Sequence, residues 1–336
     1  MGEIQPAVRL SEELSVPVVD LGACLDGDPA AFAPTAEALG RASESLGFYF
    51  VVNHGVPQSI IDGAFEQAER FHALPLERKL ACSMTKSGPG YLPLGGQVQR
   101  TSVYGKSEHR DRSASFYIRN DFPADHPDRL AGRPWVFDNR WPEGLPGFRE
   151  GTLAYLDAVQ ALGYQLLPLQ AAALGMPRDF FTSHEAFKPA SPTLRLLHYP
   201  PRDPSLEGQY GIGPHTDYGY CTILAQAKVP GLQILSRGGE WIDAPAPDGL
   251  LLVNNSDMLR FWSNDRFRSA PHRVINASGR GRYSTPVFFG VRPDVRLECL
   301  PSCHGPDNPP RYPAMSYSEH MREIRKQNYQ IPEEKK

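Results

Sequence analysis

Cysteine is scarce in this chain and unpaired in sequence. Five cysteines, Cys24, Cys82, Cys221, Cys299 and Cys303, occur in 336 residues. The number is odd and no C-x-x-C pair is present, which argues against a disulfide framework and a ribbon-type zinc site. Cys299, Cys303 and His304 lie close in sequence but have no evident fourth ligand, so free reduced thiols are expected. An excess of charge of one sign is also missing: 35 Lys+Arg against 38 Asp+Glu leave a formal charge of −3. That balance gives no global field for phosphate backbones or anionic lipid, so neither nucleic acid nor a membrane surface is expected as a partner. No stretch approaches the ~20 apolar residues of a membrane span, and the first residues carry no apolar run of signal-peptide length. Gly2 invites a myristoylation reading, but Pro6 sits where that motif wants Ser or Thr. The expectation is a cytoplasmic protein, monomeric, whose partner is a small molecule.

Proline and glycine are abundant, 33 and 30 residues, nearly a fifth of the chain. With 40% hydrophobic and 22% charged residues, the composition excludes disorder as the main state and favours a turn-rich, β-containing globule. VPVVDL (16–21) reads as a strand, 34–46 as a helix with Ala36, Leu39, Ala42 and Leu46 on one stripe, and FYFVV (48–52) as a strand ending at Asn53-His54-Gly55. A second helix spans 57–73. Residues 86–112 and 120–147 are long irregular segments rich in Gly or Pro, and in a compact domain such segments are usually functional covers. Trp135, Phe137 and Trp141 in the second need burial. The spacing from Phe148 to Leu169 predicts a long helix over 146–174, kinked near Pro168.

Beyond Pro192 the helical period gives way to seven short β-prone runs: 193–199, 220–226, 231–236, 250–255, 272–276, 282–290 and 295–300. Such a series reads as a sandwich or barrel of the jelly-roll kind. A helical stretch over 316–327 and a charged end, EEKK, close the chain. The expected organisation is one structural unit, mainly β with flanking helices. Its parts are a mixed α/β region over 1–120, a jelly-roll region with its preceding helix over 121–320, and a charged tail over 321–336.

Chemistry concentrates in that β-rich half. GIGPHTDYGY places His215 and Asp217 two apart, so on a strand an imidazole and a carboxylate face the same way. His272, 55 residues on in the run HRVIN, is a candidate third ligand. Two His and one carboxylate with open positions suit non-haem Fe(II) that also binds O2 and a substrate. After a turn at 278–281, Arg282 and Ser284 share one face of the next strand, where a guanidinium fork and a hydroxyl hold a carboxylate. An H-x-D pair alone is weak, and a lone strand histidine is more often structural. The full spacing set in a strand-rich region is far more specific.

At these residues the sequence resembles the isopenicillin N synthase-like branch of the 2-oxoglutarate/Fe(II)-dependent dioxygenases. The similarity runs from VPVVDL through LGFYFVVNHGVP, GYLPLG, RWPEGLPGFREGTLAYL, HYPP, GPHTDYGYCTIL, WIDAPAPDGLLLVNNSDML and WSNDRFRSAPHRV to RYSTPVFFG, covering residues from about 16 to 320. The resemblance implies a double-stranded β-helix core with helices outside and His215, Asp217 and His272 as iron ligands. It also implies Arg282 and Ser284 as the anchor for the distal carboxylate of 2-oxoglutarate, with Tyr199 contacting the same carboxylate. The implied reaction couples oxidative decarboxylation of 2-oxoglutarate by O2 to hydroxylation, desaturation or ring closure at a small-molecule C–H bond. The chain departs from many relatives at Leu197, where they carry Asn, and at Asn254-Asn255-Ser256-Asp257 and Arg110-Asp111-Arg112.

Substrate contacts are expected from the lid around Tyr91, Tyr104 and Arg112, from the strand at Phe116, from Tyr218 and from the segment near Phe289. His54 reads as a turn residue and His198 as a packed histidine facing away from Tyr199. Arg100, Lys106, Arg110 and Arg112, mixed with Glu108 and Asp111, read as a solvated face. Two rival readings are an Fe(II) oxidase of the same family that needs no oxoacid and a non-catalytic relative that binds a small ligand.

Overall fold

The fold is taken from a computed structural model describing residues 15–85, 88–100, 102, 104, 109–201 and 208–329. The N-terminal strand β1 (Val18–Asp20) is followed by helix α1 (Pro29–Ser45), whose N-cap Asp28 accepts from the Ala30 backbone N–H. The proline at N1 needs no hydrogen-bond partner there, so the helix starts earlier than the apolar stripe alone indicates. Strand β2 (Phe48–Val52) and helix α2 (Gln58–His72) come next. Two short strands, β3 (Tyr91–Leu92) and β4 (Ala114–Arg119), precede the 26-residue helix α3 (Phe148–Ala173). Strand β5 (Thr193–Tyr199) opens the β-rich half, followed by β6 (Ile212–His215), β7 (Cys221–Gln226), β8 (Leu232–Leu235), β9 (Trp241–Asp243), β10 (Leu251–Asn255), β11 (His272–Val274) and β12 (Arg282–Phe289). A small pair, β13 (Arg296–Leu297) and β14 (Met315–Ser316), leads into helix α4 (Tyr317–Asn328).

Eight strands form one sheet in the order β1-β2-β10-β7-β12-β5-β4-β3, and four form a second in the order β6-β11-β8-β9. Alternation along each strand of the large sheet divides its side chains between two apolar layers. One face, with Tyr49, Val51, Leu194, Leu196, Ile223, Val287 and Phe289, packs under α1, α2 and α3. The other, with Phe48, Phe50, Leu197, Tyr199, Leu224 and Leu252, faces Ile212, Leu232, Ile234 and Val274 of the small sheet. This is a jelly-roll core with flanking helices, as expected, and strands from the first 120 residues extend the large sheet at both edges.

Two details differ from the sequence reading. The run 295–300 contributes only the two residues of β13 and joins neither main sheet. Strand β6 is hidden in sequence because Gly213 and Pro214 both disfavour strand. Helix α4 over Tyr317–Asn328 matches the helical stretch expected over 316–327, and its Met321 is buried. The extreme N-terminus with Gly2 and Pro6, and residues 330–336, lie outside the described residues. Among the described residues, no helix is long and apolar enough to cross a membrane, and the five cysteines are free.

Gly47 forms the joint between α1 and β2. Its backbone has φ +78°, and a Cβ there would stand 2.3 Å from the carbonyl oxygen of Arg268. Both the left-handed conformation and the backbone contact exclude a side chain. Gly47→Ala is therefore expected to destabilise the fold by about 3 kcal/mol, read as a lowered urea midpoint at unchanged slope.

Candidate metal centre and active-site cavity

The two sheets bring the distant histidines together. In the antiparallel pairing of β11 with β6, His272 lies directly opposite His215, and their rings stand 4.2 Å apart between centroids. Asp217 lies two residues beyond the end of β6, in the loop before β7. Strand alternation therefore does not place it; hydrogen bonds do. Its Oδ2 accepts from Thr222 Oγ1 and from Asn254 Nδ2 (2.9 Å), two side chains in register across β7 and β10. Its carbonyl accepts from the Asp257 N–H, and Thr216 Oγ1 donates to Asp257 Oδ2. Asp257 thus brackets the loop.

One ligand atom each from His215, Asp217 and His272 lie within 4.8 Å of one another. The Nε2 atoms of His215 and His272 stand 3.7 and 3.6 Å from Asp217 Oδ1. The Nδ1 atoms turn away, within hydrogen-bonding distance of the carbonyls of Gly213 and Ala270. A neutral ring that donates from Nδ1 directs its Nε2 lone pair into the site. Burial, reinforced by neighbouring His272, pushes His215 well below the ordinary imidazole range. For Asp217, burial opposes ionisation, but His272, His215 and the hydrogen bonds from Thr222 and Asn254 outweigh it and hold the carboxyl below its ordinary value. Two imidazole nitrogen donors turned inward and one carboxylate form a donor set that fits Fe(II).

Arg282, at the start of β12, is 1% exposed. It lies opposite Tyr199 on β5 with its guanidinium 5.0 Å from that ring centroid. Its Nη2 donates to Gln226 Oε1 (3.0 Å) and its Nε to the Val229 carbonyl (3.2 Å), while Nη1 is buried without a partner. Burial pulls the guanidinium below its ordinary pKa. Ser284, also buried, follows on the same face. A buried guanidinium with an unused N–H, beside a hydroxyl, fits one end of a dicarboxylate.

A cavity opens at the other side of the histidine pair. His215, Asp217 and Tyr218 line it, with Met84, Tyr117, Phe137, Arg195 and Phe288 among their neighbours. Of the six residues expected to contact substrate, Tyr218 is there. Phe116 and Phe289 are not: both face the helices, Phe116 against Phe71 and Phe148, Phe289 against Tyr164 and Phe187. Their sequence neighbours Tyr117 and Phe288 line the cavity instead, a reversal of face that one residue produces on any strand. Tyr91 packs on Phe71 in the helix layer. Arg112 is a bracket, its Nε donating to the Pro201 carbonyl and its N–H to that of Tyr210. Tyr104 is 42% exposed and lies outside the cavity lining. Within the segment expected as a solvated face, Asp111 is buried and accepts from the Gly213 N–H (2.9 Å); Lys106 and Glu108 lie outside the described residues. The segments expected as covers do contribute Gly88, Pro89, Gln97 and Phe137, and α4 adds Tyr317 and Met321.

His54 occupies a turn, its Nδ1 accepting from the Val56 N–H. His198 points to the helix layer, its ring stacked on Tyr283.

Two family models match this arrangement. One, non-haem dioxygenase in morphine synthesis N-terminal, matches residues 16–144, and the other, the 2OG-Fe(II) oxygenase superfamily, matches residues 190–291. A 2-oxoglutarate-Fe(II) type oxidoreductase, hxnY, from Emericella nidulans is 34% identical over 93% of this chain and 90% of its own. The chain belongs to the 2OG-Fe(II) oxygenase superfamily. Kihadalactone A synthase LFS from Citrus sinensis is 32% identical over 91% of both chains. A full-length Neurospora crassa protein solved with alpha-KG and thymine superimposes with a TM-score of 0.80 at 26% identity, over 93% of this chain and 97% of that one. This 2OG-Fe(II) oxygenase is a 2-oxoglutarate- and Fe(II)-dependent dioxygenase that uses O2. Its jelly roll and His-Asp-His cluster agree with that membership.

Thr222 and Arg195 are residues of this site that the sequence reading passed over, and Asn254 entered it only as a departure from the family pattern. Each had a faint signal, a polar side chain at an inward-alternating position of an otherwise apolar strand.

Proposed function

We propose that His215, Asp217 and His272 hold Fe(II), and that Arg282, Ser284 and Tyr199 hold the distal carboxylate of 2-oxoglutarate. The convergence of the three ligand atoms within 4.8 Å carries this reading. Bound there, Fe(II) supplies the O2 activation that couples decarboxylation of 2-oxoglutarate to oxidation of a C–H bond. The protein's own part is orientation. The Gly213 and Ala270 carbonyls fix the two imidazoles, while Thr222 and Asn254 occupy one carboxylate oxygen and leave the other for the metal. Arg282 and Ser284 fix the oxoacid at its far end, and the aromatic cavity keeps water from the reacting carbon. The substrate is a small molecule, and the enzyme acts as a cytoplasmic monomer. The large sheet takes strands from both halves of the chain, which supports one structural unit.

The test is substrate-dependent release of succinate from 2-oxoglutarate across a panel of small metabolites, with Fe(II) binding followed anaerobically. Oxygen uptake fully coupled to product without any oxoacid would transfer the reading to the oxoacid-independent oxidases. Removing an outer partner of Asp217 provides a finer check. Asn254→Ala is expected to weaken Fe(II) binding ~10–100-fold with little change in the 2-oxoglutarate requirement, measured by anaerobic metal titration.

A further inference from the structure

Arg195 is a second buried guanidinium on the inner face of the large sheet, and no iron or oxoacid assignment uses it. It stands on β5, directly opposite Tyr117 of β4, and is 5% exposed. Its Nη2 donates to two neutral acceptors, Gln97 Oε1 (3.0 Å) and Ser115 Oγ (3.1 Å), and its Nε is buried without a partner. Among the described residues no carboxylate forms an ion pair with it. The carboxylates that act on it electrostatically, Asp217 and Asp111, form no ion pair with it, and Asp111 accepts from the Gly213 N–H. Burial pushes Asp111 up to about 7, so it is a weak counter-charge at neutral pH. Burial opposes the charge of Arg195, but Tyr117, Tyr329, Tyr199 and Asp217 around it outweigh that and hold the guanidinium above its ordinary value; its buried Nε–H still lacks an acceptor, which an anionic ligand would supply.

Its surroundings indicate what that partner is. The guanidinium lies 4.6 Å from the Tyr117 ring centroid and 6.0 Å from that of Phe288. Both rings line the cavity with Phe137, as do His215 and Asp217. Arg282, Ser284 and Tyr199 are absent from that lining. Arg195 is four positions before Tyr199 on β5, about 13 Å along the strand, so the two guanidiniums serve different stations. The planar fork of an arginine matches a carboxylate in two parallel hydrogen bonds, and an aromatic lining favours a flat ring.

We propose that Arg195 is the specificity-determining anchor of the prime substrate, and that this substrate is a small flat ring carboxylate whose ring lies among Tyr117, Phe137 and Phe288. The anchor sets which carbon faces the metal, since a ring held at one end presents a fixed edge to His215 and Asp217. This inference rests on the iron and oxoacid reading above.

The experiment uses full-length protein loaded with Fe(II) and 2-oxoglutarate under anaerobic conditions. Calorimetric titrations compare benzoate, 4-hydroxybenzoate and phenylacetate with the corresponding neutral amides. At least one carboxylate is expected to bind ~10-fold or more tightly than its amide. Arg195→Gln should lower that carboxylate's affinity at least ~30-fold, leaving amide binding and the affinities for Fe(II) and 2-oxoglutarate within about twofold. Arg195→Lys, which keeps the charge and loses the fork, should fall between. It stands in for Arg195→Gln if that variant lacks a cooperative unfolding transition, with an unchanged carboxylate preference then counting against the proposal. The proposal is overturned if no carboxylate outbinds its amide on the wild-type protein, or if the preference survives Arg195→Gln. A matching loss of 2-oxoglutarate affinity in that variant also overturns it, by assigning Arg195 to the oxoacid. Failure of the iron and oxoacid reading is separate: the wild-type protein would then not bind Fe(II) and 2-oxoglutarate in the loading step.

Discussion

Asp217→Asn is expected to empty the iron site and to reduce 2-oxoglutarate-dependent oxygen uptake to background. The substitution preserves shape, and an amide oxygen at Oδ2 still accepts from Thr222 and Asn254, so the loop keeps its bracket. What disappears is the negative charge in a cluster whose other two members are imidazoles. Loss of an outer hydrogen-bond partner costs a metal site ~10–100-fold in affinity, and loss of the charged ligand must exceed that. His215→Ala removes a nitrogen donor from the same cluster and should match it. The measurement is iron retained per protein after anaerobic gel filtration, with an unfolding midpoint to show that the fold persists. Full iron occupancy in Asp217→Asn, with turnover near wild type, would contradict the ligand assignment.

The His-Asp-His cluster was legible because two of its members are sequence neighbours and the third sits in a recognisable strand with the Arg-x-Ser element ten residues on. The pairing of His272 with His215 turns that linear pattern into a cluster. The side chains that hold Asp217 were not legible, since Thr222 and Asn254 meet it only through the β7–β10 register. The cavity was misread for a physical reason. Strands β4 and β12 bury both faces, so alternation shows that Phe116 and Tyr117 point opposite ways without showing which way is inward. The large sheet separates a helix layer from a jelly-roll interior, and an aromatic residue suits either. Arg195 is the position where the two faces differ in chemistry, because a guanidinium has no place in the helix layer. Its inward orientation could have set the parity of β5 and, through the pairing with Tyr117, that of β4.

Arg282→Met is expected to separate binding from stability in opposite directions. The wild-type side chain is a fully buried guanidinium with no carboxylate partner among the described residues and an unused Nη1. Without the oxoacid this charge is a liability, since burying an uncompensated ion costs several kcal/mol and a hydrophobic side chain of similar volume often stabilises in its place. The variant's metal-free, oxoacid-free form should therefore unfold at the same temperature as wild type or higher, by up to about 2 kcal/mol. The functional loss runs the other way. A charge-assisted, two-point contact to a carboxylate removed from one side is worth about 2–5 kcal/mol. The KM for 2-oxoglutarate should accordingly rise at least ~30-fold, with Fe(II) binding preserved. Ligand linkage gives the sharpest measurement: 2-oxoglutarate raises the wild-type unfolding temperature by RT ln(1 + [L]/Kd), and that increment should vanish in the variant at concentrations that saturate wild type. Loss of iron in Arg282→Met equal to that in Asp217→Asn would show that the two stations are not separate. A variant less stable than wild type in the absence of ligands would show that Gln226 and the Val229 carbonyl, not the missing carboxylate, already satisfy the guanidinium.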